Sequence, residues 1–282
     1  MIVDAHHHLW DPGAARHDWL AGFPALQRRF DLTDFEQASV QPGIDASVLV
    51  QVLNSSTETV EFLNVAATAG GRIAGVVGWT DLTSPGVADD LARLKEQPGG
   101  DRLVGIRHLV QDESDPSWLT RPDVYRGLRA VGAAGLTYDL LVRPQQLLAA
   151  IKITTALPDV RFVLDHGAKP EIASGSIEPW MTLTDELSRR PNVTCKLSGL
   201  VTEAGPAWSQ AKIAPYVDHL FDSFGPRRLM FGSDWPVCLL AASYEEVFGL
   251  ARALLTRLLG PSEVDEVFGA NAIWHYRLEH LS

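Results

Sequence analysis

Eight short β-rich runs, each separated from the next by a stretch of different periodicity, constrain this chain more than any other feature. The runs are the opening MIVDAHHHLW and residues 46–53, 73–80, 103–109, 136–142, 161–166, 193–197 and 228–234. Helical spacing is read over 58–69, 87–95, 122–133, 144–156, 180–189 and 213–224, with 244–259 following the last run. A short helix is also expected over 33–40, opened by Thr33 with Glu36 three residues on, as in a capping box. Strands alternating with helices imply a parallel sheet with right-handed crossovers. Eight such units in 282 residues match a closed (β/α)₈ barrel, an α/β fold of the TIM type, forming a single domain over 1–282. An open doubly wound sheet is the competing architecture, but no glycine-rich phosphate fingerprint follows the first strand.

Residues 11–30 interrupt this rhythm. They begin at Asp11-Pro12-Gly13 and contain His17, Trp19, Phe23 and Phe30 without clear periodicity. A loop of that length reads either as an active-site lid or as a surface segment anchored by its aromatics.

Charge and composition exclude several partners. The net charge of -11 repels phosphate backbones and anionic lipid surfaces, so neither nucleic acid nor a membrane surface is an expected partner. No run reaches the ~18 apolar residues of a membrane span. The two cysteines, Cys195 and Cys238, do not make a disulfide framework. With no secretory pattern in the opening run, a cytoplasmic protein is expected.

In a barrel, chemistry gathers where the strands end, so the last residues of each run are the informative ones. Alternation places Asp4, His6 and His8 on one face of the first strand and His7 on the other. Two same-face histidines, ~7 Å apart at Cα from the rise per residue, can converge on one ion. Asp234 closes the last run, beside the first in a closed barrel, and so brings a carboxylate to those imidazoles. His166 ends the sixth run, where it can ligate a metal or polarise a carbonyl, whereas Asp165 is expected to face the helices. Lys196 shares a face with Thr194 and Ser198, and a buried ammonium there needs a carboxylate or a substrate oxygen. Of the neighbours Arg107 and His108, Arg107 is expected to point inward with Gly105. Gln51 and Tyr138 add polar groups, and Trp79 and Trp235 can form apolar walls against a sugar ring.

Taken together, HxH after IVDA, HLVQDE, YDLLV, LDHGAKP, CKLSGLVTEA and MFGSDWPVCLLAASYEEV resemble the amidohydrolase superfamily. The similarity lies with its amidohydrolase-2 branch of sugar-lactone and pyrone-dicarboxylate hydrolases, above all the L-fuconolactonase and L-rhamnonolactonase group. It implies a distorted (β/α)₈ barrel, metal ligands at His6, His8, His166 and Asp234, and catalytic roles for Asp234 and His166. One divalent metal at most is implied, Zn²⁺ being the expected ion, because Arg107-His108 stands where dinuclear members carry a bridging lysine or glutamate. Some pyrone hydrolases of the branch work without a metal.

The implied reaction is hydrolysis of a sugar aldonolactone to the free acid, with Gln51, Trp79, Arg107, Tyr138, Lys196 and Trp235 contacting this small-molecule substrate. A pyrone dicarboxylate is the alternative substrate, a decarboxylase the alternative reaction, and a ligand-binding barrel without catalysis a third reading. A homo-oligomer is compatible with all of them.

Overall fold

The computed structural model describes residues 1–278. Eight parallel strands follow one another around the barrel in chain order. They are β1 (Val3–His7), β2 (Ala46–Val50), β3 (Ile73–Gly78), β4 (Leu103–His108), β5 (Thr137–Leu140), β6 (Arg161–Leu164), β7 (Val193–Leu197) and β8 (Leu229–Phe231). Around them lie α1 (Leu32–Ser39), α2 (Ser56–Thr68), α3 (Val87–Lys95), α4 (Pro122–Ala133), α5 (Leu147–Ala156), α6 (Trp180–Ser188), α7 (Leu200–Ala204), α8 (Gln210–Phe224) and α9 (Tyr244–Thr256). The short helices α10 (Pro261–Asp265) and α11 (Asn271–Tyr276) complete the described chain. No helix among the described residues is long and apolar enough to cross a membrane. Both cysteines are buried and free.

Closure is made past the end of β8. His8 donates its backbone N–H to the Trp235 carbonyl at 2.7 Å, and Asp234 donates to the His6 carbonyl at 2.8 Å. The ends of the first and last strands are therefore joined by two backbone hydrogen bonds, at His6–Asp234 and His8–Trp235.

The alternation of strands and helices is as expected, and α3 and α4 have the expected bounds. Local differences have local causes. Helix α1 starts one residue early because Asp31 and Asp34 form the reciprocal capping box, each carboxylate accepting the other's backbone N–H at 3.1 Å. Thr33 consequently falls inside the helix. Pro144–Gln146 forms a 3₁₀ turn ahead of α5. The short helices α7, α10 and α11 carry too few turns to show periodicity in sequence.

Residues 11–30 contain two 3₁₀ turns, Asp18–Gly22 and Pro24–Leu26. Their base is pinned by Trp10 and Phe30, which exchange backbone hydrogen bonds at 3.1 and 2.9 Å, and by the Trp10 indole donating to the Leu26 carbonyl at 3.1 Å. His7 lies outside the barrel lumen, stacked on Phe35 of α1 with ring centroids 3.9 Å apart.

Candidate active site

Four side chains meet at the floor of the barrel mouth. Asp234 Oδ1 lies 3.4 Å from His8 Nε2, 3.7 Å from His6 Nε2 and 3.9 Å from His166 Nε2, and the His6 and His8 Nε2 atoms are 3.1 Å apart. All four residues are buried.

The local backbone explains why these atoms converge. Asp234 sits past β8 in the left-handed region, with φ 57°, a conformation that persists only where its surroundings enforce it. Asp4 supplies that enforcement: its carboxylate accepts from Ser233 N (2.9 Å), Ser233 Oγ (2.6 Å) and Tyr244 OH (2.8 Å), tying the turn before Asp234 to β1. Gly232 is required in the same turn, because a Cβ there would stand 2.7 Å from the His6 Cβ. His166 also has positive φ, 53°. It packs against Gly199, where a Cβ would stand 2.7 Å from His166 Nδ1.

Each imidazole is held by a hydrogen bond on the far side of its ring, and for His8 that bond fixes the tautomer. His8 Nδ1 lies 2.8 Å from the Val50 carbonyl, which can only accept, so Nδ1 carries the proton and Nε2 the lone pair. His166 Nδ1 pairs with Ser198 Oγ at 2.8 Å, leaving its Nε2 toward Asp234. His6 Nδ1 meets Asp165 Oδ1 at 3.3 Å and Lys196 Nζ at 3.0 Å. Burial disfavours charge on two of the rings: it pushes His166 down to about 4 and His6 well below the usual imidazole range. Burial alone would raise Asp234, but His166, His8 and His6 outweigh it and hold the carboxyl far below its usual range.

Three imidazoles and one carboxylate are a donor set suited to Zn²⁺. A tetrahedral ion with bonds of about 2.0–2.1 Å places neighbouring donors about 3.3 Å apart, close to the spacings seen here. The 3.1 Å approach of His6 Nε2 to the His8 lone pair also calls for a cation or proton between them. His6, Asp165 and His166 form a second close group, but Asp165 is engaged elsewhere.

Below the mouth lies a buried charge network. Lys196, fully enclosed, has Nζ 2.7 Å from Asp139 Oδ2 and 2.9 Å from Asp165 Oδ1. Tyr276 of α11 donates to Asp139 Oδ2 at 2.6 Å. Arg107 donates to Asp165 Oδ2 from Nη1 at 2.9 Å and to Gln51 Oε1 from Nε at 2.9 Å, and its Nη1 lies 3.3 Å from His6 Nε2.

These placements correct several expectations. Asp165 does not face the helices. The β6 ladder stops at Leu164, the chain turns through positive φ at His166, and alternation no longer applies, so Asp165 and His166 both enter the lumen. Arg107 does point inward and lines the cavity. Gln51, Trp79, Tyr138, Lys196 and Trp235 do not line it. Gln51 is spent on Arg107, and Lys196 lies deeper in the lumen with no exposed surface. Tyr138 is buried on the helix side of β5, because its neighbour Asp139 takes the lumen face, and its ring packs edge-on against Phe162. Trp79 turns outward and donates its indole N–H to His108 Nδ1 at 3.0 Å, and Trp235 packs edge-on against Phe30.

The cavity itself has a volume of about 690 Å³. Trp10, Trp19, Phe23, Val52, Val237 and Leu240 line one side of it. Gln111, Asp112, Arg143, Lys169, Thr202 and Glu203 line another. Trp19 and Phe23 come from the 11–30 loop and Arg143 from just past the fifth run. The others, Val52 apart, lie three or more residues beyond the strand ends, in loops and short helices whose direction periodicity does not report.

Comparison with known proteins bears directly on this site. The amidohydrolase family model matches residues 3–278. An L-fucono-1,5-lactonase of Burkholderia ambifaria is 38% identical over 99% of this chain and 97% of its own length. A crystal structure of an amidohydrolase from Burkholderia multivorans with bound zinc superposes with a TM-score of 0.92 at 37% identity, covering 98% of this chain and 99% of that one. A probable 2-pyrone-4,6-dicarboxylic acid hydrolase from Acinetobacter baumannii shares the fold at 19% identity, with a TM-score of 0.77 over 98% and 99% of the two chains.

Proposed function

The chain belongs to the amidohydrolase family, and we propose that it opens a sugar lactone of the L-fucono-1,5-lactone kind to the free aldonic acid. The observation that carries this reading is the convergence of His6, His8, His166 and Asp234 on one point under an open cavity. Identity to a named L-fucono-1,5-lactonase over nearly the whole chain supports the choice of substrate class.

His6, His8, His166 and Asp234 would hold one divalent ion, and Zn²⁺ suits their chemistry and the zinc-bound relative. When bound, such an ion polarises the lactone carbonyl and makes water a better nucleophile at neutral pH. Asp234, ionised and buried, takes the proton of the attacking water and returns it to the departing ring oxygen. Arg107, fixed by Gln51 and Asp165, presents a preorganised cation to the oxygen on which charge develops. Gln51 and Asp165 thus act through Arg107, and Lys196 acts from beneath the site by neutralising the buried carboxylates.

Cavity charge favours a neutral substrate. Its lining carries three basic side chains (Arg107, Arg143, Lys169) and three acidic ones (Asp112, Glu203, Asp234), and Lys169 is paired with Glu203 at 2.7 Å. A pyrone dicarboxylate would require an excess of free cations. Residues 11–30 act as a wall of the site through Trp19 and Phe23.

The reading is tested by screening aldono-1,5- and 1,4-lactones with a pH indicator, each ring opened releasing one proton. Turnover of 1,5-lactones of six-carbon sugars is expected. Turnover of a dicarboxylated pyrone with none of any sugar lactone overturns the reading.

A further inference from the structure

Strand order divides the cavity into two unlike halves. Because the strands run β1 to β8 around the barrel, the loops after β4 to β7 face those after β8, β1 and β2 across the mouth. Apart from the ion-binding residues, the β8–β1–β2 half presents Trp10, Trp19, Phe23, Val52, Val237 and Leu240. The opposite half presents Gln111 and Asp112 after β4, Arg143 after β5, Lys169 after β6, and Thr202 and Glu203 after β7. Leu109 and Leu141 are the apolar exceptions near the strand ends on that side.

Three groups on the polar half lack a protein partner. Gln111 Oε1 and Thr202 Oγ1 are shielded from solvent and meet no hydrogen-bond partner. The Arg143 backbone N–H is tied to Gln146 Oε1 at 2.9 Å, which fixes where the side chain starts, yet its guanidinium makes no hydrogen bond or ion pair among the described residues. By contrast, the other two cations of the cavity are engaged, Arg107 by Asp165 and Lys169 by Glu203. Sheltered polar atoms left unpaired cost free energy that a ligand able to pair with them recovers. A molecule with hydroxyls along one edge and C–H surface along the other matches both halves at once.

We propose that Arg143, Gln111 and Thr202 read the hydroxyl groups of the lactone, while the aromatic wall of residues 11–30 covers its C–H face. This rests on the lactonase reading and deepens it: substrate class is set on the β4–β7 side, by residues that touch neither the ion site nor the carbonyl. Arg143 is the central member, since β5 stands half-way around the barrel from β1. Arginine suits the task because its planar fork can donate two parallel hydrogen bonds to vicinal oxygens.

The experiment compares L-fucono-1,5-lactone with δ-valerolactone, which has the same six-membered ring and no hydroxyls. The quantity read is the ratio of the two kcat/KM values, which is independent of how much of a preparation is folded or metal-loaded. Where δ-valerolactone turns over too slowly, its inhibition constant against the sugar lactone replaces its kcat/KM. Arg143→Ala and Gln111→Ala are each expected to lower the preference for the hydroxylated lactone at least fivefold, through KM for the sugar lactone, and Arg143→Lys to recover part of it. A smaller change in both alanine variants overturns the proposal. Failure of the wild-type protein to open any lactone is a different result, and it overturns the lactonase reading instead.

Discussion

Lys196 Nζ stands 2.9 Å from Asp165 Oδ1 with neither side chain exposed to solvent. The same ammonium is 2.7 Å from Asp139 Oδ2, so one cation balances two carboxylates, with Arg107 completing the balance on Asp165. Burial pushes Asp139 up to about 6, whereas Lys196, His6 and Arg107 outweigh burial at Asp165 and hold it well below the usual carboxylate range. Removing one member of such a set leaves uncompensated buried charge, at a cost of about 3–5 kcal/mol. Lys196→Met is therefore expected to lose about that much stability in urea denaturation, and adding Asp139→Asn to recover part of it. A Lys196→Met protein as stable as wild type would mean that the network is not charged in the fold.

In the proposed reaction, proton transfer depends on Asp234. Asp234→Asn keeps the shape of the side chain and the turn held by Asp4, so melting temperature should change little. Loss of a general base and acid typically costs 10²–10⁴-fold, and loss of a charged ligand adds to this. Turnover of the sugar lactone should accordingly fall by about 10³-fold or more. An Asn variant retaining a tenth of wild-type kcat would remove Asp234 from the chemistry.

Metal removal separates the two ways in which the four residues could operate. Exhaustive chelation is expected to abolish lactone hydrolysis, and one equivalent of Zn²⁺ per chain to restore it. His8→Ala should lower the zinc retained after dialysis, since His8 offers its lone pair directly toward Asp234. Asp165→Asn should weaken zinc binding by about 10–100-fold, the usual effect of losing a carboxylate behind a ligating imidazole. Full activity in protein shown by elemental analysis to be free of metal would leave catalysis to Asp234 and Arg107 alone.

Much of this architecture is legible in the chain because β-strands report direction. Alternation correctly separates His6 from His7, and places Arg107 and Lys196 in the lumen with His108 outside. It fails where a strand has already ended. Asp165 lies one residue past β6, just ahead of the positive φ at His166, and enters the lumen where the pleat would turn it to the helices. Asp234, three past β8, instead reaches His6 and His8 as its place beside β1 implies. Asp165 was still open to inference by charge: two cations pointing into an apolar lumen require carboxylates, and Asp139 and Asp165 are those at the ends of the neighbouring strands β5 and β6. No comparable argument reaches Gln111 or Thr202. Their positions depend on how loops of different lengths fold over the mouth, which is tertiary packing without a sequence period.

Glu58 offers a test of the fold away from the chemistry. Its Oε2 accepts the backbone N–H groups of Val52 (2.8 Å) and Leu53 (2.9 Å), tying the end of β2 to the first turn of α2. Burial raises its pKa from 4.5 to about 7, despite those two hydrogen bonds. Below pH 4.5 the folded and unfolded chains both hold the proton, and the group is neutral to stability. Between pH 4.5 and 7 the unfolded chain releases it while the folded chain retains it, so stability falls as pH rises, and above 7 the loss is constant. Glutamine can accept the same two N–H groups without titrating. Glu58→Gln should therefore match or fall slightly below wild type at pH 4.5 and gain on it by up to about 3 kcal/mol at pH 8, measured by urea denaturation across the range. A difference that does not vary with pH would show that the Glu58 carboxylate stays ionised where it is buried.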